Sequence, residues 1–270
     1  MNAGDASFSG SVPELYDRHL GPFLFEPYAR DLATRVAALR PTRVLEIAAG
    51  TGIATKAIAA LLGEAEIVAT DLNPGMIAVG KRRVEHGNVV WMHADAMALP
   101  FADASFDLAV CQFGVMFFPD MEASFREVVR VLRPGGRYVF NVWRSIEDNE
   151  AALLMSETVE AAFPEDPPLF MRRMPHGHDV PDLIVERLRA AGFSEADVVE
   201  VRERSRAATW ADVIPGFTHG SPLRAEIESR NASRLDAISQ AAIDAGTAAY
   251  GNPVDLALAA NVFVARKPDA

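Results

Sequence analysis

Apolar residues in this chain come in short runs, each ending at an acid, an amide or a small-residue turn, with helical spacing between the runs. Val44-Leu45-Glu46-Ile47 passes into Ala48-Ala49-Gly50-Thr51-Gly52 and then Ile53-Ala54-Thr55. That order reads as a strand over 43–47, a tight loop and a helix over about 53–62 with Ile58, Leu61 and Leu62 on one face. Ile67-Val68-Ala69-Thr70 ends in Asp71, Val89-Val90-Trp91-Met92-His93 runs into Asp95, and Leu108-Ala109-Val110-Cys111 exits into Gln112. Phe125, Val128, Val129 and Leu132 share a helix face, and Leu132-Arg133-Pro134-Gly135-Gly136 is a sharp turn feeding a strand from Arg137 to Trp143. Strands alternating with helices predict an α/β fold with a doubly wound, parallel sheet. Ligands of such sheets sit at the carboxyl ends of the strands, where Glu46, Asp71, Asp95 and Gln112 fall.

The flanks follow other rhythms. Residues 1–11 read as a loose tail, and an aromatic-rich stretch from Leu15 to Phe25 precedes a helix with Leu32, Val36 and Leu39 in register. This stretch either plugs a core or folds over a ligand as a lid, with Tyr16 and His19 its chemically interesting members. Beyond Trp143 come a helix over 150–162, a Pro-rich segment, a helix over about 180–191 and a strand over about 197–204. Residues 209–250 are helical with breaks at Pro215, Gly216 and His219-Gly220-Ser221-Pro222, and Leu256–Ala265 forms a last strand. The division expected is a helical lid over 1–40, a ligand-binding core over 41–144, a cap insert over 145–179, and the rest of the core sheet over 180–270 with a helical insert at about 209–250.

Composition narrows the function. The chain has 270 residues, half of them hydrophobic, and a net charge of −11. The negative balance argues against nucleic-acid and anionic-membrane surfaces, which need basic patches. The single cysteine, Cys111, excludes an internal disulfide framework and sits in an apolar run, as a core residue would. No signal-like apolar stretch opens the chain and no apolar run reaches membrane length, so a cytoplasmic protein without membrane insertion is expected.

The loop after the first strand is the centre of the chemistry. Small residues let a ligand lie against the backbone, and the helix beginning near Ile53 turns its free N–H groups towards it. A dinucleotide would want G-x-G-x-x-G, but Thr55 stands at the third glycine, and Glu46 would repel a pyrophosphate. An acid there suits a ligand with a positive centre. Asp71 lies at the distance from Gly52 where a ribose-binding acid ends the second strand, and Asn73-Pro74 serves better than Asp71 to begin the next helix.

Together these motifs resemble the class I S-adenosylmethionine-dependent methyltransferases, particularly the small-molecule branch that includes the ubiquinone/menaquinone C-methyltransferases. The matching residues are Leu45–Gly52, Asp71–Met76, Asp95–Phe101, Ser105-Phe106-Asp107 and Leu132–Gly136, so the resemblance covers about 43–143. Ala48 departs from it, standing where the family often has glycine. The resemblance implies a Rossmann-like, mostly parallel seven-stranded sheet with a helical lid and inserts. It implies S-adenosyl-L-methionine as cofactor, S-adenosyl-L-homocysteine as product, and in-line transfer of the sulfonium methyl to an O, N or C nucleophile. Ala48, Gly50, Thr51 and Gly52 would meet the methionine portion, with Glu46 near its ammonium. Asp71 would accept both ribose hydroxyls, and Leu72 and Met76 would flank the adenine. Asp95 would take the adenine amine beside Ala96 and Met97, and Gln112 and Phe113 would face the sulfonium. No metal is expected.

The acceptor is less constrained. His19 and Tyr16 are the candidate catalytic groups, with His176, His178 and His219 as further possible bases. Phe23, Phe25, Met116, Phe117, Trp143, Phe170, Met171 and His219 are the candidate lining of an apolar substrate pocket. The expected partner is a small, apolar or aromatic molecule, bound by a monomer or homodimer. An alternative keeps the fold and cofactor for non-methylating chemistry of cyclase or decarboxylase type.

Overall fold

The computed structural model describes Gly10 and residues 12–269, so most of the expected tail over 1–11 lies outside the described residues. In chain order the first half comprises α1 (Val12–Leu15), a wide-turn helix (Tyr16–Phe25), α2 (Glu26–Ala38), β1 (Arg43–Ile47), α3 (Ile53–Leu61), β2 (Glu66–Asp71), α4 (Pro74–Arg83), β3 (Val89–His93) and β4 (Phe106–Gln112). The second half comprises α5 (Met121–Val131), β5 (Leu132–Trp143), α6 (Glu150–Ala162), α7 (Phe170–Arg173), α8 (Pro181–Ala191), β6 (Glu195–Ala207), α9 (Ile214–Thr218), α10 (Leu223–Asn231), α11 (Leu235–Tyr250) and β7 (Val254–Arg266), with short 3-10 turns between some of them. The strands form one seven-stranded sheet in the order β3-β2-β1-β4-β5-β7-β6. The β3–β2, β2–β1, β1–β4 and β4–β5 pairings are parallel, as the alternation of strands and helices predicts.

The chain divides into two compact units. The first contains Met1–Pro27, Trp143–His178 and Arg202–Ala259; the second contains Tyr28–Val142, Asp179–Val201 and Ala260–Ala270.

In the second unit the central strands are apolar on both faces, as strands covered by helices must be. Val44, Leu45, Ile67, Ala69, Leu108, Ala109, Val110 and Cys111 are all buried. The thiol of Cys111 is pushed up to about 12, chiefly by burial, and is inert core, as its apolar setting foretells. Asn73 caps α4, its side chain accepting from the N–H groups of Gly75 and Met76 with Pro74 at the first turn.

Two local expectations need correction. Leu61 is 55% exposed; Ile58 is buried as expected, and the rest of the buried face of α3 is made by Ile53, Ala54, Thr55 and Ala59. The glycines at 135–136 do turn the chain, with Gly135 at φ 72°. They do so inside β5 rather than before it: Leu132 already pairs with Phe106, and the register shifts before Leu108 meets Arg137.

In the first unit, the aromatic stretch forms a helix whose N–H groups reach back five residues, as Glu26 N–H does to the Gly21 carbonyl. Ten residues in that geometry is long for a π-type helix. Pro22 lies inside it, where its missing donor removes a hydrogen bond. Two glycines of the 214–220 segment make room for it. A Cβ on Gly216 would stand 2.7 Å from the Leu20 side chain, and one on Gly220 would stand 2.8 Å from the Tyr16 nitrogen. Ser205 adds a tie by donating to the Phe23 carbonyl at 2.8 Å. Trp210, fully buried, packs under Gly246 of α11, and its indole N–H donates to the Gly251 carbonyl at 3.2 Å.

Candidate cofactor site

The carboxyl ends of β1 and β2 in the second unit are tied together by a short chain of hydrogen bonds. Thr70 donates its hydroxyl to the Glu46 carbonyl at 2.9 Å, and Ala49 N–H donates to the Thr70 carbonyl at 2.9 Å. Gly50 N–H then donates to Asp71 Oδ2 at 2.8 Å, while Asn73 N–H donates to Asp71 Oδ1 at 2.8 Å. Asp71 thus fixes the glycine loop to the tip of β2, and each of its oxygens keeps a lone pair for a ligand donor. Its pKa is raised by burial, against the pull of those backbone donors.

The loop backbone occupies conformations that favour glycine. Gly50 and Gly52 have φ of 57° and 80°, and a Cβ on Gly50 would meet nothing within 4 Å, so one side of the loop is open. Gly52, by contrast, faces the Trp91 ring, which a Cβ would approach to 3.1 Å. Ala48 has φ of 53° despite its methyl group. A residue at φ > 0 that is not glycine carries strain of about 1 kcal/mol or more, so the alanine that departs from the family pattern sits where glycine would be relaxed. Its Cβ lies against Gly114, where an added Cβ would come within 2.6 Å of it.

Glu46 is 1% exposed, and its Oε2 has no hydrogen-bond partner. Burial pushes its pKa up to about 8; Thr55 pulls it down in part, and repulsion from Asp71 pushes it up. The carboxyl group lies beneath the loop rather than on its surface. The expected proximity to a ligand ammonium would therefore act through the field rather than by open contact.

The other expected cofactor residues line the same strand ends. Leu72, immediately after β2, is 57% exposed, an apolar side chain left uncovered at a site edge, whereas Met76 is buried. The His93 ring donates from Nε2 to the Leu72 carbonyl at 2.9 Å and steadies that turn. Asp95 accepts Met97 N–H at 2.9 Å and pairs with Ala98 across the turn. Gln112 is half-buried at the end of β4. Phe113 follows in a left-handed conformation, φ 53°, buried, its ring meeting Tyr28 edge-on at 5.2 Å. What holds it there is Asn141 of β5, fully buried, whose Oδ1 accepts Phe113 N–H at 2.9 Å. Asn141 is the residue that sequence reasoning missed; the signal was a lone amide inside Tyr138-Val139-Phe140-Asn141-Val142-Trp143.

The acceptor candidates divide between the units. Met116, buried, and Phe117, half-buried, belong to the second. Tyr16, His19, Phe23, Phe25, Trp143, Phe170, Met171, His176, His178 and His219 belong to the first. There Tyr16 stacks on Phe25 at 4.8 Å, Phe25 meets Trp143 at 6.2 Å, and Trp143 meets the His176 ring at 6.1 Å. Phe23, Phe170 and Met171 are buried. The His19 Nδ1 stands 2.8 Å from the Asp212 carbonyl, which can only accept, so Nδ1 carries the proton and Nε2 of the neutral ring keeps a lone pair. His176 is fixed likewise on the Arg144 carbonyl at 2.8 Å. His219 has both nitrogens engaged, Nδ1 with Thr218 at 2.9 Å and Nε2 with Asp236 at 3.2 Å.

Comparison with known proteins bears on this site. Residues 45–140 match the family described as "Methyltransferase domain". That stretch of the chain is similar to a methyltransferase domain. The match runs from the loop strand into β5, so it takes in every cofactor residue expected from the sequence. Over 105 residues the chain is 43% identical to a demethylmenaquinone methyltransferase of Clavibacter sepedonicus, covering 38% of this chain and 42% of that protein. A demethylmenaquinone methyltransferase of Thermus thermophilus is 41% identical over 113 residues, covering 41% of this chain and 50% of that protein. The chain thus spans half or less of the length of these curated relatives.

Solved structures agree on the fold of the methyltransferase domain. A Bacillus halodurans protein described as a methyltransferase has a TM-score of 0.57 at 19% identity, covering 88% of this chain and 98% of its own. The [4+2]-cyclase SpnF has a TM-score of 0.52 at 22% identity, covering 88% and 80% respectively. Likeness at such identities establishes the Rossmann-like fold and no particular reaction. No helix among the described residues is long and apolar enough to cross a membrane.

Proposed function

We propose that this protein transfers a methyl group from S-adenosyl-L-methionine to a small apolar or aromatic molecule, leaving S-adenosyl-L-homocysteine. The observation that carries the reading is the Asp71 carboxylate, which pins Gly50 and Asn73 and retains acceptor capacity at the end of β2. A vicinal ribose diol supplies two donors for that capacity. The orphaned Glu46 Oε2 beneath the loop and the uncovered Leu72 beside it suit a cationic aminoacyl end and an adenine face. When bound, the cofactor supplies a methyl carbon already electrophilic enough that the protein's main task is alignment.

The residues of the chain then have simple duties. The loop from Ala48 to Gly52 would seat the aminoacyl portion, Asp95 with the Ala96 and Met97 backbone would hold the adenine amine, and Gln112 and Phe113 would face the reacting sulfur. An O–H or N–H acceptor must lose a proton as the new bond forms, and among the first unit's histidines His19, its tautomer set by the Asp212 carbonyl, is the proposed base. Tyr16, Phe25 and Trp143 are the proposed contacts for a flat acceptor. A quinone-like ring would suit them, and the quinone-pathway names of the curated relatives favour that class.

Calorimetry with S-adenosyl-L-homocysteine tests the cofactor, with Asp71→Ala as the variant expected to lose binding. Transfer of labelled methyl to candidate phenols and quinols tests the reaction. Consumption of an acceptor with the donor left intact would replace methyl transfer with the cyclase-type alternative.

A further inference from the structure

We infer that Glu46 is a carboxylic acid that the free protein holds neutral, and that it gives up its proton when a ligand bearing an ammonium group settles on the glycine loop. The inference rests on the cofactor reading above and goes beyond it by assigning the loop a proton-linked response to the charge of its ligand.

The geometry leaves the free protein little choice. Glu46 lies on β1, with β2 and β4 paired on either side, opposite Ala69 and Val110. It is 1% exposed, and Oε2 has neither solvent nor a hydrogen-bond partner. The groups that face it are Thr55 of α3, Asp71 at the end of β2 and Cys111 of β4. None of these is a cation, and Asp71 has the same sign. An ionised carboxylate is costly to bury without a counter-charge, so the proton stays, with the group pushed up to about 8 mainly by burial. The loop above it is thin: Ala48, Gly50 and Gly52 put almost no side chain between Glu46 and a ligand. A positive charge on the loop acts across a poorly screened medium and favours the carboxylate.

Two consequences separate this from an ordinary acidic contact. Binding of an ammonium-bearing ligand releases a proton, so its affinity rises with pH until the free protein's Glu46 has itself ionised near pH 8, and then levels off. A neutral nucleoside on the same strand ends leaves Glu46 protonated and shows no such rise. The glycine loop thereby discriminates for the charged aminoacyl end.

The test is calorimetry at pH 7 in phosphate and in Tris, whose ionisation enthalpies differ, with S-adenosyl-L-homocysteine and with 5′-methylthioadenosine, which lacks the aminoacyl group. For the wild type, S-adenosyl-L-homocysteine is expected to release roughly half to one proton per site and 5′-methylthioadenosine none. Glu46→Gln is expected to bind S-adenosyl-L-homocysteine without that release. Binding to the wild type with no buffer dependence overturns the inference while leaving the cofactor reading intact, as does a release that persists in Glu46→Gln. Absence of binding to the folded protein overturns both. A carboxyl carbon-13 titration of the wild type needs no variant. Glu46 is expected to titrate well above the ordinary glutamate range in the free protein and lower with S-adenosyl-L-homocysteine, and an ordinary glutamate midpoint in the free protein overturns the inference.

Discussion

The two units treat their polar groups in opposite ways. In the second, the strand ends carry strained and unsatisfied elements: left-handed Ala48 and Phe113, and a buried Glu46 oxygen without a partner. In the first, three of the candidate histidines have one or both nitrogens committed to the fold, His19 to the Asp212 carbonyl, His176 to the Arg144 carbonyl, and His219 to Thr218 and Asp236. Strain and unmet hydrogen-bonding capacity persist only where surrounding structure enforces them, and they concentrate at functional sites. The strand-end loop is therefore built around something still to come, whereas the first unit's histidines are already holding local structure together. His19 has its Nδ1 fixed and an Nε2 lone pair left over, the form a base requires.

The largest expected effect tests whether the unsatisfied group is a real liability. Glu46 has a folded pKa of about 8 against an ordinary value of 4.5. The folded state therefore binds more protons than the unfolded chain between those values, and stability falls as pH rises through that window. Below the ordinary value the group costs nothing; above the folded value the penalty is complete, on the order of 5 kcal/mol. Thermal melts of the ligand-free protein from pH 5 to 8.5 should show this decline, and Glu46→Gln should flatten it. A decline unchanged in the variant would place the liability elsewhere and weaken the contrast between the units.

Asp71 comes next, because it serves fold and ligand together. Asp71→Ala strands the N–H groups of Gly50 and Asn73, which should lower stability by about 2–4 kcal/mol. It should also reduce S-adenosyl-L-homocysteine affinity at least 100-fold, on the order of 3 kcal/mol. Asp71→Asn keeps one good acceptor and should fall between. In the first unit, His219→Gln should move the melting temperature while leaving cofactor affinity unchanged, if that histidine is committed to structure.

Much of the second unit was legible because its signals are local. Strand ends announce themselves where an apolar run meets an acid, and the loop where small residues cluster; Glu46, Asp71, Asp95 and Gln112 all stand at or just beyond the strand ends as the pattern predicts. The helices expected over 150–162 and about 180–191 stand at Glu150–Ala162 and Pro181–Ala191. What stayed hidden depends on partners distant in sequence. Asn141 looked like a stray amide until Phe113, just past the end of the neighbouring strand, needed an acceptor. The tautomer of His19 is set by a carbonyl far along the chain at Asp212, and the wide turns of Tyr16–Phe25 fit against Gly216 and Gly220. Leu61 failed for the opposite reason: its spacing suits a helix face, but α3 is short and buries small residues nearer its start.

Packing around the glycines gives a third and smaller contrast. A Cβ on Gly80 of α4 would collide with the Trp91 ring, and one on Gly246 of α11 would collide with Trp210. Overpacking of this kind typically costs 1–3 kcal/mol, so both alanine variants should melt lower, read by thermal denaturation. Only Gly80→Ala should also weaken cofactor affinity, because Trp91 is the ring against which Gly52 of the loop is packed. Gly63→Ala, with nothing within 4 Å of the added methyl, is the control. Equal loss of affinity in both tryptophan-facing variants would mean that the loop responds to global stability and not to its own support.

The smallest effect has the opposite sign. Ala48 holds φ at 53°, and its half-exposed methyl has little burial to lose. Ala48→Gly removes the left-handed penalty, about 1 kcal/mol, but adds freedom to the unfolded chain that offsets part of it. The net expectation is a gain of roughly 0.5 kcal/mol, visible as a small rise in melting temperature with cofactor affinity within twofold of the wild type. Removing the methyl also leaves Gly114 less tightly packed against the loop, so a larger gain is not expected. If Ala48→Gly instead weakened binding several-fold, the strain at this position would be holding the loop in its ligand-ready form. The departure from the family's glycine would then be a functional choice, and the strained end of the second unit would matter through its rigidity as well as through its unpaired groups.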